Sequence, residues 1–182
     1  MKLCLVFPGI GYGIDKPLLY YSRKIVRNDY ETICLSYSGD PKKAKSKKEN
    51  LESFYKRAYK ECSDQLKDVQ FSNYDEILVI SKSIGTAIGE KYDREHHLKA
   101  RSVLFTPLNY TYEGENSEAI AFHGTNDPWA SNEEIETLSA SHHVPLYEIK
   151  DANHSLETGN LSVDLTNIKT IVLKVEDFIK GR

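Results

Sequence analysis

Short apolar runs recur along the chain, and each stops at a turn signal. Leu3 to Phe7 ends at Pro8-Gly9, Thr32 to Tyr37 ends at Ser38-Gly39, and Ile77 to Ile80 runs into Ser81-Lys82-Ser83. Ser102 to Phe105 stops at Thr106-Pro107, Ala119 to Phe122 at His123-Gly124, and Pro145 to Ile149 near Asp151. Strands that are apolar on successive positions bury both faces, as in a parallel sheet covered by helices. Between these runs the apolar positions change to a three-to-four spacing. The clearest case is Lys47 to Val69, where Leu51, Tyr55, Ala58, Tyr59, Cys62, Leu66 and Val69 share one face of a predicted helix. Ser46 and Glu49 form a capping-box pattern at its start. Leu18 to Val26, Ile84 to His97, Glu133 to Ser141 and Leu165 to Ile179 are the other predicted helices.

Alternation of strand and helix predicts an α/β fold of three layers: a six-stranded, mostly parallel sheet with helices on both faces. No repeat, linker or shift in composition interrupts the 182 residues, so residues 1–182 read as one domain. A net charge of -3 draws the chain to neither nucleic acid nor an anionic membrane. No run approaches the ~20 apolar residues of a membrane span, and Leu3 to Phe7 is too short for a signal peptide. Cys4, Cys34 and Cys62 lie in apolar settings at unrelated spacings. They read as buried free thiols, which suits the reducing cytoplasm. The lysines between Pro41 and Lys48 read as a solvated loop. Together with Lys82 they hint, more sharply, at a rim attractive to anionic substrates.

Four segments carry candidate chemistry. Ser81-Lys82-Ser83-Ile84-Gly85 follows a strand and opens a helix. A serine on such a sharp turn lifts its hydroxyl above the sheet, and the turn needs small residues two before and two after. Ser83 is therefore a candidate nucleophile, and the Ile84 amide, at a helix N-terminus, can donate to a developing oxyanion. The plain alternative is an ordinary N-cap serine. Gly9-Ile10-Gly11-Tyr12-Gly13 follows the first strand. Its glycines let backbone approach a ligand, and they bring the Ile10 or Gly11 amide beside Ser83. A phosphate-cradling role is weakened because Ile14 stands where a dinucleotide fingerprint needs glycine. Asp127, after the fifth strand, can orient an imidazole, or serve only an Asp-Pro turn. His154, after the sixth strand, is the candidate base. His123 is its one competitor and is read instead as shaping the Asp127 turn.

Serine, acid and histidine thus appear in that order, each beyond a predicted parallel strand. With Pro8-Gly9-Ile10-Gly11, Gly124-Thr125-Asn126-Asp127-Pro128 and Ala152-Asn153-His154-Ser155-Leu156, the chain resembles the α/β-hydrolase superfamily. The likeness is nearest to small, lid-poor members such as dienelactone-hydrolase-like proteins and short esterases. The resemblance implies Ser83 as nucleophile, Asp127 as acid, His154 as base, and oxyanion amides from Ile10 and Ile84. It implies strand order 2-1-3-4-5-6. It also implies an open site, since only Asn109 to Glu118 stand where a lid is often inserted. Ser81 departs from the usual glycine but is also small. The expected activity is hydrolysis of a small ester or thioester through an acyl-enzyme, with a small-molecule acyl substrate. No metal or organic cofactor is expected, because the chain has no His-Glu-x-x-His and no Cys-x-x-Cys. Gly9 and Gly11, with Tyr12, Tyr110, Tyr112 and Trp129, are candidates to line the substrate pocket. The rival expectations are a silent binding protein on the same fold and a flavodoxin-like nucleotide-binding module.

Overall fold

The computed structural model describes residues 1–38, 48–115 and 118–181. Six strands form one sheet: β1 (Lys2–Phe7), β2 (Glu31–Cys34), β3 (Glu76–Lys82), β4 (Arg101–Phe105), β5 (Ala119–Gly124) and β6 (Leu146–Ile149). Their order is β2-β1-β3-β4-β5-β6, as the resemblance implied, and every pairing is parallel. The register sets Phe7 beside Ser81, Lys82 beside Phe105, and Phe105 beside Phe122. The C-terminal ends of the four central strands are therefore level, and the loops that follow them emerge at one edge.

Among the described residues, five helices cover the sheet: α1 (Pro17–Val26), α2 (Lys48–Leu66), α3 (Ile84–His96), α4 (Asn132–Ser141) and α5 (Leu161–Lys180). Strand side chains alternate between two cores. Leu5, Val79 and Leu104 pack with Cys62 of α2, Ile88 of α3 and Ile135 of α4. Val6, Ile80, Phe105 and Phe122 pack with Leu18 of α1 and Val175 of α5 on the opposite face. Burial of such a side chain contributes roughly 1.5–3 kcal/mol, so the two apolar faces of the sheet, one against each helical layer, hold the strands in register.

Several predicted boundaries move, and three of them have a local reason in the hydrogen bonding. β2 stops at Cys34 and not Tyr37. Beyond it, Ser36 N–H donates to Gln65 and Ser38 N–H to Glu61, so α2 side chains take donors that a strand would pair. α5 begins at Leu161 and not Leu165 because the Asn160 side chain accepts from the Ser162 and Val163 amides. Gly181, at φ 66°, ends it. β5 runs on to Gly124 because Gly124 still pairs with Ile149. Cys4 and Cys62 are buried as expected, whereas Cys34 is only half-buried on the edge strand. The expected Ser46 cap and the lysine stretch from Pro41 lie outside the described residues. Among the described residues, no helix is long and apolar enough to cross a membrane.

Candidate active site

Ser83 joins β3 to α3 with φ 55° and ψ -126°, a conformation that an L residue holds only under constraint. Such a position costs about 1–3 kcal/mol and must be imposed by its surroundings. Here Ser83 N–H donates to Phe105 O at 2.9 Å, and Ser83 O accepts from the Thr86 amide and hydroxyl. The Thr86 hydroxyl in turn meets that of Thr111 at 2.6 Å. On the far side of the turn, a β-carbon on Gly85 would lie 2.5 Å from Pro8 O and against Phe7 O, so only glycine allows α3 to press on the end of β1. Ser81 is fully buried and donates to Val103 O at 3.2 Å, so the departure from glycine is accommodated by one hydrogen bond. Ser83 makes no side-chain cap to α3. That disposes of the ordinary N-cap alternative.

Its hydroxyl instead lies 2.7 Å from His154 Nε2, and His154 Nδ1 lies 2.7 Å from Asp127 Oδ2. The other carboxylate oxygen accepts from the Trp129 amide at 2.8 Å. The Asp-Pro turn and the imidazole contact thus use one side chain, and the two readings of Asp127 are compatible. The loops that carry it and His154 are tied together, because Asn126 N–H donates to Ala152 O at 2.9 Å. Gly124 permits this approach: a β-carbon there would sit 2.6 Å from Asn153 O and against Ala152 O.

The electrostatics follow from burial and contact. Burial, the strongest influence on His154, pushes its imidazole down; the Asp127 hydrogen bond pulls it up and the Lys82 charge pushes it down again, leaving it below the ordinary histidine value. Burial pushes the Asp127 carboxyl up, but the His154 contact and the Trp129 amide outweigh it and hold the group below the usual carboxylate range. With Asp127 ionised and His154 neutral, Nδ1 carries the proton and Nε2 is free to accept one from Ser83.

A cavity of about 280 Å³ opens beside Ser83. Ile10, Gly11, Tyr12, Ile84 and Trp129 line it. Three expectations need correction. Tyr110 is exposed and stacks on Tyr55 at 6.5 Å, away from the cavity. Tyr112 is buried, with its hydroxyl on Ser139 at 2.7 Å. Gly9 does not line this cavity; its own β-carbon would meet Lys82 and Ser83 at 3.2–3.3 Å, so its role is close approach of the first loop. Leu51, Leu108, Pro128, Asn153 and Ser155, with Lys82 and His154, complete the wall. Leu51 was legible only as helix apolar face, and nothing in its spacing marked it as facing a ligand.

The glycine loop closes on itself. Gly9 N–H donates to Tyr12 O at 3.0 Å and Tyr12 N–H to Gly9 O at 3.2 Å, with Gly11 at φ 72° in the turn. Two of the amides that would have to cradle a phosphate are thus already engaged. Tyr12 also accepts the Leu18 amide on its hydroxyl, satisfying a donor in the first turn of α1.

No family model matches the chain, and no curated protein does. Solved structures do. A lidless α/β serine hydrolase from Xanthomonas campestris superposes with a TM-score of 0.66 at 8% identity, over 99% of this chain and 81% of that one. The esterase Pf2001 of Pyrococcus furiosus gives 0.65 at 14% identity, over 99% and 83%. Est1E of Butyrivibrio proteoclasticus, solved with ferulic acid bound, gives 0.66 at 11%, over 100% and 89%. With the all-parallel sheet and its strand order, these likenesses establish that the chain has the α/β-hydrolase fold.

Proposed function

We propose that the chain is a serine hydrolase that cleaves a small ester or thioester through an acyl-enzyme on Ser83. The observation that carries this reading is the unbroken hydrogen-bonded line from Ser83 Oγ through His154 to the buried Asp127 carboxylate, both steps 2.7 Å. His154 Nε2 takes the Ser83 proton as Oγ attacks the acyl carbon. The resulting imidazolium is stabilised by Asp127 and returns that proton to the departing alcohol or thiol. Water, activated by the same nitrogen, then releases the acid and restores Ser83.

The oxyanion is assigned to the amides of Ile84 and Ile10. Ile84 is the first residue of α3, so its N–H has no acceptor within the helix and points from the positive end of the helix dipole. Ile10 stands at the tip of the first loop, between the two engaged amides of Gly9 and Tyr12. Both residues line the cavity with Ser83. That cavity is small and mostly apolar, which favours a short, neutral acyl group. Lys82 is also at the cavity wall, with its ammonium directed to Thr106 and to the His154 carbonyl. The free cysteines fit the cytoplasmic setting we assign.

The test is a panel of short acyl p-nitrophenyl esters and thioesters, with fluorophosphonate labelling, on wild type and Ser83→Ala. Turnover and labelling in wild type, both lost in a folded Ser83→Ala variant, are expected. Turnover retained by Ser83→Ala would remove Ser83 from this role.

A further inference from the structure

Lys82 stands between Ser81 and Ser83, and its side chain is 1% exposed. An ammonium buried to that degree persists only where its charge and its donors are satisfied. Lys82 Nζ donates to the Thr106 hydroxyl and, at 2.7 Å, to the main-chain carbonyl of His154, and it sits 5.1 Å from the Tyr12 ring centroid. Thr106 follows β4 directly and is held at φ 44°. One buried cation therefore joins the residue before the nucleophile, the end of β4 and the base, across 72 positions of sequence.

We propose that Lys82 is a positioning residue for the reaction: its ammonium fastens the backbone of His154 to the nucleophile turn and sets a fixed positive charge near an imidazole that Asp127 would otherwise charge. The inference rests on the hydrolase reading above. β6 ends at Ile149, and His154 stands on the loop beyond it. Asn126 N–H holds that loop to the β5 side through Ala152 O, while Lys82 holds it to β3. Without the second tie, the hydrogen bond that holds His154 toward Ser83 among the described residues is the one from its own ring. The charged and titratable groups that bear on the imidazole are Asp127, Lys82 and His123; Glu157 bears on Tyr12 from the end of the same loop. After burial, the Lys82 charge is the influence that keeps His154 neutral against Asp127.

The test compares wild type with Lys82→Met, which keeps an unbranched side chain and removes the charge and the donors. Two measurements are made: the fluorophosphonate labelling rate of Ser83 against pH, and the titration of His154 by ¹³C NMR at its Cε1. Folded Lys82→Met is expected to label about a hundredfold more slowly, the loss that a displacement near 1 Å produces. Its His154 titration and the acid limb of labelling should move to higher pH. An unchanged labelling rate together with an unchanged titration would overturn the proposal. If Lys82→Met fails to fold, Lys82→Gln carries the same two readouts. If wild type does not label at all, the hydrolase reading fails by itself. The NMR arm still decides on Lys82, because a His154 midpoint unmoved in the variant overturns its role and a raised midpoint supports it.

Discussion

His123 Nδ1 lies 3.8 Å from Asp127 Oδ2, in a site where both side chains are wholly buried. Neither nitrogen of that ring has a hydrogen-bond partner among the described residues. Burial, the strongest influence, holds the imidazole below its ordinary value, against the pull of Asp127. The folded protein thus keeps His123 neutral, as it does His154, while the unfolded chain binds protons near pH ~6.5. Where the unfolded state binds more protons, stability falls as pH falls. Thermal melting should therefore drop as pH is lowered from about 6.5, at up to ~1.4 kcal/mol per pH unit for each histidine. Asp127, also held low, adds a further loss below its unfolded value of about 3.9. His123→Leu should flatten the first of these slopes and, by removing an unsatisfied polar ring, change stability at pH 7 by about 1 kcal/mol in its favour. Melts of the two proteins across pH 5 to 8 decide it, and an unaltered slope in the variant would refute the assignment.

The proposed base acts only when neutral. Because His154 is depressed, kcat/KM should rise along an acid limb centred below the reference value of about 6.5. A pH-rate profile on a short ester, with chemistry limiting, is the measurement. A midpoint at or above that value would contradict the balance of burial, Asp127 and Lys82 described for the imidazole.

Asp127→Asn should leave the fold intact, since an amide oxygen can still accept from the Trp129 amide. It turns the imidazole to the wrong tautomer, because an amide can donate to Nδ1 where the carboxylate only accepts. A loss of about 10⁴-fold in kcat with little change in KM is expected, read from steady-state kinetics.

Gly124→Ala and Gly85→Ala separate the site from the scaffold. At Gly124 the new methyl meets Ala152 O and Asn153 O, which prises the His154 loop from the Asp127 loop. Activity should fall about a hundredfold in a protein that still melts cooperatively. At Gly85 the methyl meets the Phe7 and Pro8 carbonyls inside the structure, and a destabilisation of about 3 kcal/mol is expected. Urea unfolding alongside ester turnover distinguishes the two outcomes.

Trp129 is about half exposed, and its ring stands 6.1 Å from that of His154 at the wall of the cavity. Trp129→Ala should widen the cavity and move the preferred acyl chain to greater length, by roughly tenfold in the ratio of kcat/KM for long over short esters. An unchanged chain-length profile would take Trp129 out of the substrate wall.

The strands, the helices and the convergence of Ser83, Asp127 and His154 were legible because each depends on a local signal: an apolar run, a three-to-four spacing, a turn at a strand end; the strand order came only through the family resemblance. What was hidden depends on tertiary approach. Tyr110 and Trp129 are both aromatic loop residues, yet one stacks on Tyr55 and the other borders the cavity, a difference that no spacing encodes. Lys82 reads as a surface cation in sequence. Its burial follows from β3 running through to Lys82, where the pleat turns the side chain toward the face that carries Phe105. β2 ended early because its donors met Gln65 and Glu61 from a helix well beyond it in sequence.

The seat of Gly85 against the Phe7 and Pro8 carbonyls makes the pose of Ser83 hostage to the opening strand. A chain clipped beyond Pro8 would retain every proposed reacting side chain and yet lack the buttress that forces Ser83 into its constrained pose.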